Sequence, residues 1–253
     1  MKNLTWLMVL GFMAGSAMAD YTEELNWTFE LSEGGRISLE NINGNVEVTG
    51  TTGNTVEIIA LKKAGTEEYL ENLEILIEDS PDAIHIETDH PDSGIKGMFN
   101  WGKDSSGSVH FTLRVPASAN LDEIESVNGD ISIQGVNGIV RAGAVNGEVR
   151  ASGLMGDANL ETVNGSVDAT FEKFGAGQKV NCESVNGRIT VSLPEDADVS
   201  VTAETINGGI DGSDFGQKVD KGFVGRDLAG DSGSGGGRLS MDTVNGAIKI
   251  RKR

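Results

Sequence analysis

Aligned on a recurring Val/Ile-Asn-Gly tripeptide, the chain shows one short apolar/polar alternation again and again. Three residues after each Asn come Ile131, Val140, Val149, Val167, Ile189, Ile210 and Ile248. Five residues after it come Ile133, Ala142, Ala151, Ala169, Val191, Gly212 and Ile250, and the position between is polar, as in Ser132, Arg150, Asp168 and Lys249. A period of two with one apolar side predicts a five-residue strand whose apolar face points inward. Units without the tripeptide keep the register, with Ala158 and Leu160, Val180 and Cys182, Val201 and Ala203, and Leu239 and Met241 inward.

The tripeptide occurs eight times, at Asn43, Asn128, Asn137, Asn146, Asn164, Asn186, Asn207 and Asn245. From Asn128 the intervals are 9, 9, 18, 22, 21 and 38 residues, close to multiples of nine with small insertions. Such a period predicts an all-β fold: a single-stranded-type β-solenoid of nine-residue half-coils, two to a coil, with Asn-Gly supplying positive φ at the corners. Asn128, Asn146, Asn164, Asn186, Asn207 and Asn245 then fall at one corner of successive coils, with Ser126, Thr162, Ser184, Thr205 and Thr243 beside them. Asn side chains in a column can hydrogen-bond from coil to coil. That reads as a structural ladder of turn residues, not as a row of ligand-binding amides.

The solenoid pattern spans residues 119–253. Residues 20–118 read as a β-rich N-terminal region, with strands at Arg36–Leu39, Val46–Val48, Val56–Leu61, Leu73–Ile77, Ile84–Thr88 and Val109–Val115. Within it Thr66 to Glu71 reads as one short helix, capped by Thr66, with Glu67 and Glu68 at its positive end. The long gap between Asn207 and Asn245 holds Asp231-Ser232-Gly233-Ser234-Gly235-Gly236-Gly237, so residues 211–237 read as a Gly-rich loop, with an extra coil as the alternative.

Residues 1–19 read as a signal peptide: Lys2, an apolar run from Leu4 to Ala14, and the small-x-small site Ala17-Met18-Ala19. No later apolar stretch is long enough to span a bilayer as a helix, so the expected location is periplasmic, extracellular or on the cell surface. The first nineteen residues hold one base, Lys2, and no acid, which leaves 39 acidic against 19 basic residues, or 39 − 19 = 20 negative charges. That charge disfavours nucleic acid and anionic lipid as partners. With 35 Gly and few aromatics, the composition suits tight turns and small core residues. The lone Cys182 excludes an intramolecular disulfide and sits at an inward position grouped with Ile133, Leu160, Ala203 and Met241.

Candidate chemistry is sparse. The outward column Ser132, Arg150, Asp168, Thr190, Asp211, Lys249 lacks the clustered Asp that acidic-polysaccharide cleavage requires. His85, His90 and His110 have no Cys nearby, which argues against zinc. The residues after Asn-Gly (Asp130, Glu148, Ser166, Arg188, Ala247) form no carboxylate column of the kind a calcium coil needs. No Ser elbow or phosphate loop is present. Outward Thr rows for ice and exposed aromatics for sugar are also missing from the repeat. The expectation is no catalytic residue, no cofactor and no metal. Phe99 and Trp101, between Gly97 and Gly102, are the candidate contact patch, with rings folded over an open end of the rod as the alternative.

Arg114-Val115-Pro116 leads into Glu125-Ser126-Val127-Asn128-Gly129. Leu193-Pro194 precedes Thr205-Ile206-Asn207-Gly208, and Gly236-Gly237 precedes Thr243-Val244-Asn245-Gly246 and Ile248-Lys249-Ile250. In these motifs the chain resembles a bacterial putative-adhesin family, a β-strand-repeat domain of unknown function. The resemblance implies an exported β-solenoid engaged in adhesion or envelope interaction, with no catalytic residues to carry over. Together these readings predict a non-catalytic interaction surface, an adhesin, whose partner is an envelope or surface protein or a glycan. A soluble periplasmic partner in envelope sensing or assembly is the alternative, and a polysaccharide-active enzyme a remote one.

Overall fold

The computed structural model describes residues 21–91, 107–215, 219–221 and 225–253. The chain opens with β1 (Tyr21–Glu30), β2 (Arg36–Asn43), β3 (Val46–Thr51) and β4 (Thr55–Ala64). After helix α1 (Glu67–Asn72) come β5 (Glu74–Ser80), β6 (Ala83–Asp89) and β7 (Gly107–Pro116). The repeat begins with β8 (Asn120–Asn128), β9 (Ile131–Gln134), β10 (Val140–Asn146) and β11 (Val149–Leu154). It continues with β12 (Ala158–Asn164), β13 (Val167–Phe171), β14 (Lys179–Asn186) and β15 (Ile189–Leu193). The last third holds β16 (Val199–Asn207), β17 (Ile210–Asp211), β18 (Val219–Lys221), β19 (Arg226–Ser232), β20 (Gly237–Asn245) and β21 (Ile248–Lys252). The helix forms where expected: the Thr66 hydroxyl accepts the Tyr69 N–H at 3.2 Å, and Tyr69 and Leu70 are buried.

These strands form two mixed sheets that enclose one apolar core. The first sheet runs β1-β4-β7-β3-β9-β11-β13-β15-β21-β17 and the second β18-β19-β16-β20-β14-β12-β10-β8-β2-β6-β5. The fold is thus not the clear single-stranded solenoid that the repeat predicts. The all-β class holds, but each coil gives one strand to each sheet, and regular parallel winding is confined to the middle. There the pairing is in register: Val140 faces Ala158, which faces Val180. At the ends the sheets turn antiparallel, β1 on β4 on β7 and β5 on β6. Antiparallel strands can end a stacked sheet because they pair backbone groups that a bare coil would leave open.

The inward positions form the core. Ile131, Val149, Val167, Ile189 and Ile248 are essentially unexposed, as are Leu160, Cys182, Met241 and Ala203 on the facing sheet. Ile133 belongs to the first sheet and lies across the core from the Cys182 column, so its grouping with Cys182 is corrected. Burial pushes the Cys182 thiol up to about 12, which keeps it protonated and inert.

Coil order departs from chain order twice. β2 and β3, which carry Asn43, lie directly beside β8 and β9 in both sheets. The C-terminal strands β20 and β21 slot between β14 and β16 and between β15 and β17. The corners therefore stack as 43, 128, 146, 164, 186, 245, 207. Where residues 211–237 were expected to loop or to add a coil, the described residues form a returning hairpin: β19 runs back antiparallel along β16, and β18 pairs with β19. That hairpin covers the edge β16 would expose, and Asp198 holds its Gly-rich end by accepting the Ser234 and Gly236 N–H groups.

Candidate interaction groove

At the shared corner each Asn donates its amide to the next. Asn128 donates to Asn43, Asn146 to Asn128, Asn164 to Asn146 and Asn186 to Asn164, at 2.9 to 3.0 Å. Asn245 then donates to Asn186 at 2.8 Å and Asn207 to Asn245 at 2.9 Å, so the row follows spatial and not chain order. On five of the seven coils the residue two before the Asn is a buried hydroxyl that donates to a corner Gly carbonyl of the neighbouring coil, as Thr162 does to Gly147, Ser184 to Gly165 and Thr205 to Gly246; Asn41 and Ala144 hold that position on the other two. Asn164→Ala removes one donated and one accepted bond. Because both partners reach solvent, the expected loss is about 1–2 kcal/mol, read by chemical denaturation.

The corner glycines correct one reading. Gly44 alone among them has a positive φ, 120°. Elsewhere Gly is required by close approach: a Cβ on Gly129, Gly147, Gly165 or Gly187 would lie closer than 3.0 Å to the carbonyl oxygen of the corner Gly one coil away. Only hydrogen fits there.

With the hydroxyl position buried, alternation turns the residues on either side of it outward on the second sheet. The residue just before each Asn is Ile42, Val127, Val145, Val163, Val185, Val244 or Ile206, one per coil and about 40% exposed in most. Three before each Asn stands a carboxylate on all but one coil: Glu40, Glu125, Glu161, Glu183, Asp242 and Glu204, with Gly143 the exception. Register aligns them, Glu161 against Glu183 against Asp242 against Glu204. Glu87 on β6 and Asp227 on β19 extend the row at its ends. The two columns line one groove of about 880 Å³ along the sheet.

Like charges one strand apart oppose ionisation. Burial, with Glu123, Glu40 and Glu161 nearby, holds Glu125 above the ordinary glutamate value; burial, with Glu183 close by, raises Asp242. An acid whose folded pKa is raised binds protons more readily in the native state, so stability falls as pH rises through that raised value. Asp211 works in the opposite sense: the Ser213 hydroxyl and Lys249 lower it to about 2, a contribution lost as pH falls below 3.8. His110, held low by burial and Lys63, opposes the row as pH falls below its ordinary 6.5, so the test uses a His110→Asn background. In that background thermal unfolding is expected to shift upward on acidification from neutral toward the ordinary Glu value of 4.5 and downward below 3.8. Added salt should raise the neutral midpoint by screening the row. A midpoint that climbs steadily from about pH 5 to pH 8 contradicts this assignment.

Phe99 and Trp101 lie outside the described residues. His85 Nδ1 pairs with the Ser38 hydroxyl at 2.8 Å, His90 Nδ1 with the Tyr69 hydroxyl at 3.1 Å, and His110 Nδ1 accepts the Asn45 N–H at 3.2 Å. The three stand apart, and among the described residues no His, Cys, Asp and Glu cluster is arranged to hold a metal. On the first sheet's outer side the mixed column is in register, and Lys249 meets Asp211 at 3.1 Å. The acidic row was readable but missed. Glu-Ser-Val-Asn-Gly, Glu-Thr-Val-Asn-Gly and Asp-Thr-Val-Asn-Gly recur with the acid three before the Asn, whereas the apolar/polar register is carried by the residues after it.

Residues 33–251, nearly the whole chain, match the Toastrack DUF4097 model. The chain belongs to the Toastrack DUF4097 family. No curated protein matches it. Among solved structures, this Toastrack chain is similar to a putative cell adhesion protein from Clostridium sporogenes ATCC 15579. The two are 17% identical, with 92% of this chain and 100% of that one covered and a TM-score of 0.53. It also matches a putative adhesin from Bacteroides fragilis NCTC 9343 at 12% identity over 90% of this chain and 96% of that one, with a TM-score of 0.36. At these identities the Clostridium likeness shows a shared fold. Among the described residues of the Toastrack chain, no helix is long and apolar enough to cross a membrane.

Proposed function

We propose that this Toastrack chain is exported and serves as a non-catalytic interaction surface, with the groove on the second sheet as its contact face. The observation that carries this reading is the unbroken column of solvent-facing Val and Ile, one on each of seven coils from Ile42 to Ile206. Single exposed apolar residues are ordinary, but a contiguous lined-up row in a groove is the mark of a surface that meets a partner. The names of the solved neighbours are in keeping with an adhesive role, and the apolar run over residues 4–14 with Ala17-Met18-Ala19 favours export.

Two measurements test it. Fractionation, with protease added to intact cells, should find the chain outside the cytoplasm with residues 1–19 removed; an uncut chain retained in the cytoplasm sinks the proposal. A photo-crosslinking side chain placed at Val163 should give discrete adducts in cells. The same group at Asp168, on the opposite sheet, should not. Equal adducts from both positions, or none from Val163, would remove the groove from the account.

A further inference from the structure

We infer that the groove receives a cationic amphipathic helix of a partner protein, its apolar face on the Val/Ile column and its Lys or Arg side chains on the carboxylate row. The inference rests on the reading of the groove as a contact face and names the chemistry of what fills it.

Dimensions favour a helix. The apolar column crosses seven coils, six steps of about 4.8 Å or roughly 29 Å, and a helix of about 20 residues is roughly 30 Å long. The carboxylate row runs parallel to the apolar column, two residues away along each strand, which is about 7 Å. An apolar face and a basic flank lie at such a separation on one helix about 10 Å across. An added β-strand is not an option here, because the groove lies on the face of a sheet whose strands are already paired on both sides. Gly143 leaves a notch in the acidic row: a Cβ there would come no closer than 3.9 Å to Glu125 Oε1, so the space is open. A bulky apolar side chain of the helix can enter it.

Charge selects the partner's sign. Between Glu40 and Glu204 the row holds six carboxylates and no base. Among the described residues Arg226, at the groove's end on β19, is the one basic residue of the lining and leaves the groove strongly negative. A second copy of the chain, at net −19, would set one acidic row against another. Its own basic C-terminus is engaged already, Lys249 with Asp211, Arg253 with Glu172, and Lys252 over the Phe215 ring. Anionic lipid and nucleic acid are repelled by the same row.

The test uses the full mature chain and a fluorescein-labelled synthetic peptide of about 20 Leu and Lys residues placed at helical period, read by anisotropy. A peptide of the same composition, permuted to abolish the apolar face, is the control. The periodic peptide should bind at least ~10-fold tighter than the permuted one, and binding should weaken as salt is raised from about 50 to about 500 mM. Glu161→Lys with Glu183→Lys, and separately Val145→Ser with Val163→Ser, should each weaken binding ~10-fold or more. Glu47→Lys with Asp168→Lys changes the net charge by the same amount on the opposite sheet and should leave binding within about 2-fold. All six positions are outward-facing, and circular dichroism confirms that the variants fold. Equal binding of the permuted peptide, or equal loss in the opposite-sheet variant, means diffuse electrostatics and overturns the inference. Crosslinks persisting at Val163 in that event would leave the groove a contact face for a partner of other chemistry; their absence would end both readings.

Discussion

Gly187→Ala is expected to destabilise the protein by ~3 kcal/mol or more. The added Cβ would collide with the carbonyl oxygen of Gly165 and also press on the Ser184 hydroxyl. A clash with a flexible side chain is relieved by rotation. Here the obstacle is backbone, and the carbonyl belongs to a coil held by in-register pairing at Asn164–Asn186, Ser184–Thr162 and Glu183–Glu161. Relief requires the two coils to separate at the corner, which stretches the Asn164–Asn186 bond and the Gly165 N–H bond to the Asn186 carbonyl. Gly53→Ala provides the contrast: its Cβ would meet nothing within 4 Å, and only its positive φ of 103° opposes the change. Paired denaturation curves decide the matter. If Gly187→Ala proves no worse than Gly53→Ala, close approach is not why the corner requires glycine.

Val167→Asp is expected to cost at least ~4 kcal/mol and to leave much of the protein unfolded at 37 °C. Val167 is 0% exposed, between Val149 and Ile189 in the first sheet, with only apolar side chains in line with it. A carboxylate there has no cation to pair with. Protonation removes the charge but still leaves a hydroxyl and a carbonyl without water. The same substitution four residues earlier provides the control. Val163 is 40% exposed in the groove, so Val163→Asp is expected to change stability by less than ~0.5 kcal/mol. Similar melting temperatures for the two variants would mean that the faces have been assigned the wrong way round.

Much of this fold is local and therefore legible. Strand alternation is a period-two pattern set by backbone geometry, and it placed Val167, Ile189, Cys182 and Met241 inward from residue order alone. The helix after Thr66 depended on one cap and two acidic residues within a single turn. β1 was legible too, since Leu25, Trp27 and Phe29 alternate with Asn26, Thr28 and Glu30. What the sequence does not show is its place, which comes from antiparallel pairing with β4 and from the buried Lys62 donating to Glu23 at 2.7 Å. The hairpin β18–β19 was masked by its glycines. Their local preference for flexibility is overridden by the open edge of β16, which the returning strand pairs.

The groove was legible only in part. Val before Asn was visible, but as one letter of a corner motif; its exposure follows from the burial of the hydroxyl beside it, as with Thr162 next to Val163. That Glu125, Glu161 and Glu183 make one row follows from stacking, which brings together residues 36 apart in the chain, across Gly143, and 22 apart.

Sequence alone determined the unit: a short strand, an Asn-Gly corner and an apolar inner face, each decided by interactions within a few residues. Tertiary structure decided the order in which the units stack, with the Asn43 coil beside Asn128 and the Asn245 coil between Asn186 and Asn207. The physical reason is degeneracy. Every coil presents the same Asn amide and the same bare glycine, and five of the seven the same hydroxyl, so the ladder closes equally well in several orders. What selects one is non-local: the match of inner side chains across the core and the antiparallel strands that pair the sheet edges, β1–β4–β7 on the first sheet and β5–β6 and β18–β19 on the second.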